Sequence, residues 1–201
     1  TTLILLKRLD AIYRGGAPGR SGLSYLDYAW HLTGQQKDKK RLDYWKSRLS
    51  DLPEPLDLPA DFTRSCDFDF LGGTVTHAIS PALTEKCDAF CAEHGISPYM
   101  FFLAAFGILL SRLGGKDDLL VGAAAAGRLM SETQEMCGPF INTLPLRLRP
   151  QERRSAEDYL LSVRDEVNAM LDNQQVGLEE IVSALGIKRT LSQSPLYQVI
   201  F

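Results

Sequence analysis

The sequence has few of the groups from which an independent active site is built. It contains four cysteines and three histidines in 201 residues, and no Cys-x-x-Cys spacing occurs. Neither a Gly-x-Gly-x-x-Gly nor a Gly-x-x-x-x-Gly-Lys-Ser/Thr loop is present, so no dinucleotide or ATP site is predicted. The spacing of His31, His77 and His94 ties none of them to a nucleophile. His77 lies between Val75 and Ile79, a pattern typical of a core histidine.

The sequence also lacks an excess of charge and a long hydrophobic run. It has 22 basic and 25 acidic residues and a net charge of −3, which argues against a nucleic-acid partner. Its longest apolar run, from Tyr99 to Leu110, is too short to cross a bilayer and predicts a core helix instead. The small number of cysteines favours reduced thiols, so we expect a cytoplasmic protein. Because no apolar run is long enough to span a bilayer, we expect no membrane partner.

One group of residues has the spacing of metal ligands. Cys87, Cys91 and His94 lie at i, i+4 and i+7, on one face of a predicted helix. They continue an apolar stripe formed by Leu83 and Phe90, and no fourth ligand is apparent. Because a closed zinc site needs four ligands, the sequence predicts no metal site.

Both ends of the chain are unusual. Thr1 leads directly into an amphipathic pattern without a Met, and Leu196 to Phe201 ends within an apolar, strand-like run. An unpaired hydrophobic strand would be an exposed edge. We therefore expect the chain to be a piece of a larger protein.

Hydrophobic periodicity predicts an α/β domain with a mixed sheet. Ser80-Pro81 and Ser97-Pro98 are typical helix starts, and Gly95 is a typical helix end. Residues 52–70, which include three prolines, predict an extended arm. The predicted helices cover 2–14, 25–30, 38–49, 81–94, 98–113, 155–171 and 178–185, and the predicted strands cover 74–79, 119–121, 144–148 and 197–201.

Two stretches leave alternatives open. The small residues from Gly122 to Gly127 suit either a loop beneath a channel or a tightly packed strand end. Leu144, Leu146 and Leu148 predict a strand with one buried face. Pro145 within that strand indicates an edge or a bulge.

Four stretches, in order, resemble known sequence motifs. Tyr25 to Trp30 resembles Tyr-x-Asp-Tyr-Ala-x-Trp, with the Trp one place early. Gly138 to Arg147 resembles Gly-x-Phe-Val-Asn-Thr-x-x-x-Arg, with only Ile141 replacing Val. Asn173 to Glu179 resembles His-Gln-Asp-x-Pro-Phe-Glu loosely. Arg189 to Leu196 resembles Arg-Asp-x-Ser-Arg-x-Pro-Leu with two replacements. In addition, 121–128 resembles a Val-Gly-x-Pro-x-Ala-Gly-Arg loop, with Ala124 for Pro. Together these stretches resemble the motifs of the condensation domains of nonribosomal peptide synthetases.

The resemblance implies a chloramphenicol-acetyltransferase-like fold, in which two α/β lobes enclose a tunnel. Residues 1–16 would end the N-terminal lobe, 17–70 would form connecting helices and an arm, and 71–201 would form a C-terminal lobe that is incomplete at its end. The family's catalytic motif, His-His-x-x-x-Asp-Gly, does not occur in the chain. The resemblance implies that this motif lies before Thr1, so no catalytic residue is expected here and the chain alone is expected to be inactive.

The resemblance also implies a reaction and partners. Condensation domains join an acyl or peptidyl thioester to an aminoacyl thioester, each held on the phosphopantetheine arm of a carrier protein. The implied partners are upstream and downstream carrier proteins, an adjacent adenylation domain and the missing N-terminal lobe, and no cofactor is bound by the domain itself. Two alternatives remain: an epimerization or cyclization domain of the same fold, and a non-catalytic domain that docks carrier proteins.

Individual residues receive expected roles from the motifs. Asn142, Thr143 and Ser192 are candidates for the tunnel lining, although Asn142 could instead cap the turn before its strand. Arg147 is expected to pair with a carboxylate. The expected floor loop contains Gly122, Ala126, Gly127 and Arg128, and the expected structural residues are Tyr25, Asp27, Gly138, Arg147 and Arg189.

Overall fold

The computed structural model describes residues 1–17, 22–34, 38–62, 71–150, 155–188 and 194–201. Within these ranges the chain forms helices and one small sheet. The helices are α1 (Thr2–Tyr13), α2 (Tyr25–Gly34), α3 (Lys39–Arg48), α4 (Pro81–His94), α5 (Pro98–Gly114), a 3-10 turn (Ser131–Thr133), α6 (Ala156–Asp172) and α7 (Leu178–Ala184); the strands are β1 (Leu119–Ala125) and β2 (Asn142–Leu148).

The helix starts follow from local sequence. The hydroxyl oxygens of Ser80, Ser97 and Ser155 each accept a hydrogen bond from the backbone N–H three residues later. Gly95 ends α4 in the left-handed region, at φ +62°, where a residue without Cβ meets no steric cost. The Ser-Pro starts and the Gly95 end predicted from sequence are therefore confirmed.

The sheet is mixed, as predicted. β1 and β2 are antiparallel, with Leu119 opposite Leu148 and Ala125 opposite Asn142. On the other side of β1, the Gly122 N–H donates to Val199 O (2.8 Å) and the Phe201 N–H donates to Gly122 O (2.9 Å), which is parallel pairing. Among the described residues β2 therefore lies at an edge, the position that tolerates Pro145.

The strand predicted over 74–79 is wrong. Residues 71–80 form no regular structure, and Val75 is 98% exposed. His77 is exposed too, so the interpretation as a core histidine is also wrong. The alternating pattern is present, but a strand needs a neighbour for its backbone hydrogen bonds. No described strand lies beside this segment.

The core lies where α5 and α6 pack on the sheet. Leu103 from α5, Val163 from α6 and Leu146 from β2 are at most 1% exposed. Two sequence expectations need correction here. β2 is buried on both faces rather than one, because its polar residue Arg147 meets carboxylates instead of water. One side of α5 is open, with Leu109 51% exposed, because the core covers only the opposite side of this helix.

Helix α1 contacts the remainder of the chain through its less apolar side. Arg8 is half-buried and donates to Glu135 O at 2.9 Å. The apolar stripe faces away and is at least 52% exposed at each of Leu5, Leu6, Leu9, Ile12 and Tyr13.

In the described part of the chain no single helix is long and apolar enough to span a membrane. Helices α4 and α5 pass that test of length and composition only as a pair, and they are bent by 104° at the break between them.

Candidate functional site

Three of the sequence motifs meet around the ring of Phe140. From α2, Tyr25 approaches it edge-on with ring centres 5.2 Å apart, and Tyr28 lies 5.0 Å away. From the segment after β1, the guanidinium carbon of Arg128 stands 4.0 Å from the ring centre. This geometry is a cation–π contact. We call Tyr25, Tyr28, Arg128 and Phe140 the Phe140 cluster.

Two glycines let backbone segments approach this cluster closely. A Cβ on Gly138 would lie 2.1 Å from Cδ2 of Tyr25. A Cβ on Gly127 would lie 1.9 Å from Phe140 O, and Gly127 has φ +65°. Both positions therefore require glycine, which explains why glycine stands at these places in the two motifs.

Arg128 also fastens the loop that follows it. Its guanidinium donates to the carbonyl oxygen of Thr133, to Met136 O at 2.9 Å and to the Thr1 hydroxyl at 3.1 Å. The Thr1 hydroxyl in turn donates to Gly138 O at 2.6 Å. One side chain thus joins the start of the chain to the loop that carries Gly138.

The start of α2 is fixed by reciprocal hydrogen bonds. The Ser24 hydroxyl oxygen accepts from the Asp27 N–H at 3.3 Å, and the Asp27 carboxylate accepts from the Ser24 N–H and hydroxyl at 2.7 Å each. The bonds from the Ser24 N–H and then from its hydroxyl lower the pKa of Asp27. The predicted structural role of Asp27 is therefore a helix cap. The Tyr25 hydroxyl donates to Pro139 O at 3.1 Å and links this helix start to the next motif.

Asn142 and Thr143 lie on opposite faces of β2. Asn142 is opposite Ala125, which is buried, whereas Thr143 is opposite Ala124, which is exposed. Successive side chains of a strand point to opposite faces, so these two residues do not line the same surface. The Asn142 amide nitrogen donates to Gln174 O and to Val176 O, both at 2.9 Å.

The exposed face at this end of the sheet carries small side chains. Thr143, Ala124 and Ala126 border it. Gly122 lies further along β1, where a Cβ would come within 2.6 Å of the Tyr197 ring. Of the two alternatives for this stretch, a tightly packed strand describes Gly122 to Ala125, and Ala126 to Arg128 follow as the loop. We call Ala124, Ala126 and Thr143 the small-residue face.

The turn after α6 is held by side chains that sequence reasoning missed. Arg41 Nε donates to Asp172 O at 3.2 Å, and Trp45 Nε1 donates to Asn173 O at 3.1 Å. Both donors come from α3. They bind carbonyls at the C-terminal end of α6, where a helix has no backbone donors of its own for its last carbonyls. The sequence signal available for them was only their place on an amphipathic helix, which does not reveal a partner so far along the chain.

Arg147 is the buried charge of the site region, with its side chain 3% exposed. Its guanidinium donates to the two Asp118 carboxylate oxygens at 2.6 and 2.8 Å, and to Asp51 Oδ1 at 2.7 Å. The predicted pairing with a carboxylate is confirmed. Burial pushes the pKa of Asp118 up, but the bonds and charge of Arg147, with those of Arg149, outweigh it and hold this pKa below its usual value.

Not every predicted site residue falls within the described part of the chain. Ser192 and Arg189 lie outside the described residues. Across the described ranges no group of His, Cys, Asp and Glu could hold a metal ion, and His94 stacks on Phe90 with ring centres 4.0 Å apart. Burial raises the pKa of the Cys91 thiol, which makes it a poorer ligand and nucleophile.

The side chains described above define what this region can do chemically. The Thr143 hydroxyl can bind and orient a polar chain, and the small-residue face lets such a chain approach the backbone. Neither this hydroxyl, nor the Asn142 amide, nor the Arg128 guanidinium is a general base near neutral pH. The arrangement therefore suits binding and positioning.

Comparison with known proteins gives a family-level match. The model of the Condensation domain family matches residues 2–201. Bacitracin synthase 1 of Bacillus licheniformis is 34% identical over 204 residues, which cover 100% of this chain and 4% of that protein. Surfactin synthase subunit 2 of Bacillus subtilis (strain 168) is 35% identical, covering 100% of this chain and 6% of that protein. The chain thus spans about one-twentieth of the length of these curated relatives.

Solved structures share the fold. A holo four-domain nonribosomal peptide synthetase bound to AMP and glycine superposes with a TM-score of 0.90 at 21% identity, over 98% of this chain and 15% of that chain. The X-domain from teicoplanin biosynthesis gives a TM-score of 0.83 at 23% identity, over 94% of this chain and 44% of that chain. The predicted α/β fold of the condensation-domain type is confirmed.

Proposed function

The chain belongs to the condensation-domain family, and we propose on this premise that its parent protein forms amide bonds between carrier-bound thioesters. The donor is an acyl or peptidyl thioester and the acceptor an aminoacyl thioester, each on a phosphopantetheine arm. The amine nitrogen attacks the thioester carbonyl, the C–N bond forms, the C–S bond breaks, and the thiol leaves with the proton that the amine gives up.

One observation carries this proposal: the motif stretches converge on the Phe140 cluster. Three stretches that are far apart in sequence contact one ring there, and the small-residue face lies at the neighbouring end of the sheet. This supports a tunnel wall with Thr143, Ala126, Gly127 and Arg128 along it. Aminolysis needs the two arms held in line, and the Thr143 hydroxyl on this wall contributes to holding one of them.

We propose that the histidine of the reaction, acting either as base or as positioner, lies outside these residues. His-His-x-x-x-Asp-Gly is absent from the 201 residues, and we propose that the parent supplies it before Thr1. In this division, residues 1–16 close the N-terminal lobe, 17–70 connect the lobes, and 71–201 form the C-terminal lobe. The apolar stripe of helix α1 supports this division, because it is at least 52% exposed at each of its large side chains and is open to packing against an N-terminal lobe.

Partners and location follow from the same proposal. Phosphopantetheine arms arrive on upstream and downstream carrier proteins, so the domain needs no cofactor of its own. An adenylation domain next to it loads the acceptor carrier. We place the reaction in the cytoplasm.

Reconstitution tests the proposal. The parent domain, with its residues before Thr1, is incubated with one carrier loaded with an acyl group and one loaded with an amino acid, and the acceptor carrier is analysed by mass spectrometry. We expect an amide-linked product on the acceptor carrier, and none from the 201-residue chain alone. No amide product from the parent, or turnover by the chain alone, would contradict the proposal. An inverted donor stereocentre or a heterocycle would instead identify an epimerization or cyclization domain.

A second candidate is a non-catalytic docking domain. The observation behind it is a structure in which the X-domain is in complex with OxyB; this chain superposes on that X-domain with a TM-score of 0.82. A domain of this fold can therefore bind another protein. Under this alternative the chain would bind loaded carriers without turnover. Binding measured by calorimetry, combined with the absence of any new covalent product from the parent, would distinguish it from the condensation domain.

A further inference from the structure

The turn that follows α6 depends on donors from two other elements. Within α6 itself, the last carbonyls are satisfied locally: Asn173 Nδ2 donates to Ala169 O at 2.8 Å, and Gln174 Nε2 donates to Leu171 O at 2.8 Å. The carbonyls of Asp172 and Asn173 are satisfied by α3. Beyond that point, the carbonyls of Gln174 and Val176 have the amide of Asn142 as their side-chain donor.

The Asn142 amide therefore has its donor capacity already in use. A carboxamide nitrogen carries two hydrogens, and each is directed at one of these two carbonyl oxygens. To donate to a substrate oxyanion or to a pantetheine arm, this nitrogen would have to leave the carbonyl of half-buried Gln174 or of buried Val176 without this donor, at the cost of an unmade hydrogen bond.

The turn that Asn142 holds leads directly into α7. Val176 is 3% exposed, and the Glu180 and Ile181 amides in the first turn of α7 donate to Gly177 O. Ile181 is fully buried in the core. A shift of the turn would therefore move a core helix that packs against β2 itself.

Thr143 has the complementary placement. It follows Asn142 in β2, stands opposite the exposed Ala124 and is half-buried on the small-residue face. Its position on this face depends on the register and twist of the first residues of β2. The hydrogen bonds of Asn142 fix that first residue.

We propose that Asn142 is a positioning residue that clamps the Gln174–Val176 turn onto the start of β2, and that Thr143 is the polar group that this strand offers to the substrate arm. The second half rests on the proposed function, whereas the first half concerns the folded chain alone. On one face of β2 Asn142 thus holds the turn, and on the other face Thr143 contacts the substrate arm.

Two isosteric substitutions test the clamp. Asn142→Asp removes the amide donor and directs an acceptor at two carbonyls, while Thr143→Val removes a hydroxyl from the other face. Hydrogen–deuterium exchange of the 201-residue chain is measured over peptides covering 173–184. With two hydrogen bonds lost, we expect roughly 5–30-fold faster exchange in Asn142→Asp. In Thr143→Val we expect exchange unchanged from the unsubstituted chain.

A third variant keeps this test decisive if the Asp variant unfolds. Asn142→Ala removes the donor without adding a charge, and faster exchange confined to 173–184 is expected. Uniformly faster exchange of all peptides in Asn142→Ala would overturn the clamp. So would unchanged exchange at the turn in a folded Asp or Ala variant.

Kinetics of the parent domain test the second half. For Thr143→Val we expect a higher KM for the loaded carrier at unchanged kcat, as for a contact made equally in ground and transition states. For Asn142→Asp we expect a lower kcat, accompanied by the faster hydrogen–deuterium exchange over 173–184. A lower kcat in Asn142→Asp with exchange unchanged would show that Asn142 acts on the substrate directly, and an unaffected KM in Thr143→Val would remove Thr143 from the substrate contact. If the unsubstituted parent makes no amide, the proposed function fails, and the exchange comparison still decides the clamp.

Discussion

Gly138 and Tyr25 are in contact across 112 intervening residues, and the contact leaves no space for a side chain at position 138. A Cβ there would lie 2.1 Å from Cδ2 and 2.6 Å from Cγ of the Tyr25 ring. The Tyr25 hydroxyl donates to Pro139 O at 3.1 Å. The loop therefore contacts Tyr25 both at the side of its ring and at its hydroxyl. This contact attaches α2 to the loop that precedes β2.

Gly138→Ala should therefore destabilise the chain. The added methyl group forces the Tyr25 ring away from the loop, and overpacking of this kind typically costs about 1–3 kcal/mol of the free energy of unfolding. The measurement is urea denaturation followed by circular dichroism. Gly34→Ala is the matched control, because Gly34 lies in the same helix as Tyr25 and has nothing within 4 Å. The control should be neutral or slightly stabilising, and equal losses in both variants would contradict the proposed contact.

Arg147→Met should be more destabilising than Arg149→Met, although both arginines pair with Asp118. Arg147 is buried, and its loss leaves the Asp118 carboxylate without its two shortest bonds. We expect a loss of about 3 kcal/mol, the lower end for breaking a buried ion pair, because Asp118 stays partly in water. Arg149 is 39% exposed and should cost less than about 1 kcal/mol. Thermal or urea denaturation of the two variants measures the difference, and similar losses would contradict it.

The same ion pairs predict loss of stability in acid. The Arg147 hydrogen bond, and next its charge, lower the pKa of Asp51, and the pKa of Asp118 is also held below its usual value. Carboxyls whose pKa is lower in the folded state stabilise it above their unfolded-state pKa of about 3.9. That stability is lost as pH falls through the folded-state pKa. The free energy of unfolding should fall below about pH 4, and the fall should be shallower in Arg147→Met; parallel pH profiles would exclude this coupling.

Tyr159→Phe should stabilise the chain. Tyr159 is 3% exposed, and its hydroxyl has no hydrogen-bond partner among the described residues. An unmade bond at a buried group costs about 1–3 kcal/mol, so its removal should raise the free energy of unfolding by about 1 kcal/mol. Tyr13→Phe is the matched control, because Tyr13 is 90% exposed and should be neutral. Destabilisation by Tyr159→Phe would mean that the hydroxyl does have a partner.

An alkaline titration separates Tyr159 from the other tyrosines. Burial raises the pKa of Tyr159 to about 12. In the unfolded chain Tyr159 ionises near pH 10, whereas in the folded chain it stays neutral up to about pH 12. The contribution of Tyr159 to the free energy of unfolding therefore falls as pH rises from about 10 to 12, by at most about 1.4 kcal/mol per pH unit. The Tyr159→Phe variant lacks this contribution, so its advantage over the unsubstituted chain should grow above about pH 10. A constant difference across this range would contradict the raised pKa.

Helix boundaries were the part of the fold that short-range reasoning predicted best. The caps at Ser80 and Ser97 and the turn at Gly95 depend on groups three or four residues away, which are visible in the sequence. The strand predicted over 74–79 failed for the opposite reason. Its alternating pattern is local, but pairing requires a neighbouring strand, and local pattern carries no information about that neighbour.

The site was predictable as a set of residues but not as an arrangement. The motifs predicted Asn142 and Thr143 as one pair, but the pleat of β2 places their side chains on opposite faces. The Asn142 amide then donates to carbonyls 32 and 34 residues away. A carboxylate partner for Arg147 was predicted, while the choice of Asp51 and Asp118 came from the fold. Arg41 and Trp45 were missed because nothing local marks a donor for a distant helix end.

By itself the sequence determined the helix ends and, through its ordered motifs, the condensation-domain family. Those features depend on backbone geometry within a few residues or on residue types at fixed spacing. Only the tertiary structure decided which side chains meet at Phe140, which face each residue of β2 occupies and which donors satisfy the turn after α6. These are contacts between segments about 30 to 130 residues apart, and chain folding alone brings such segments within hydrogen-bond distance.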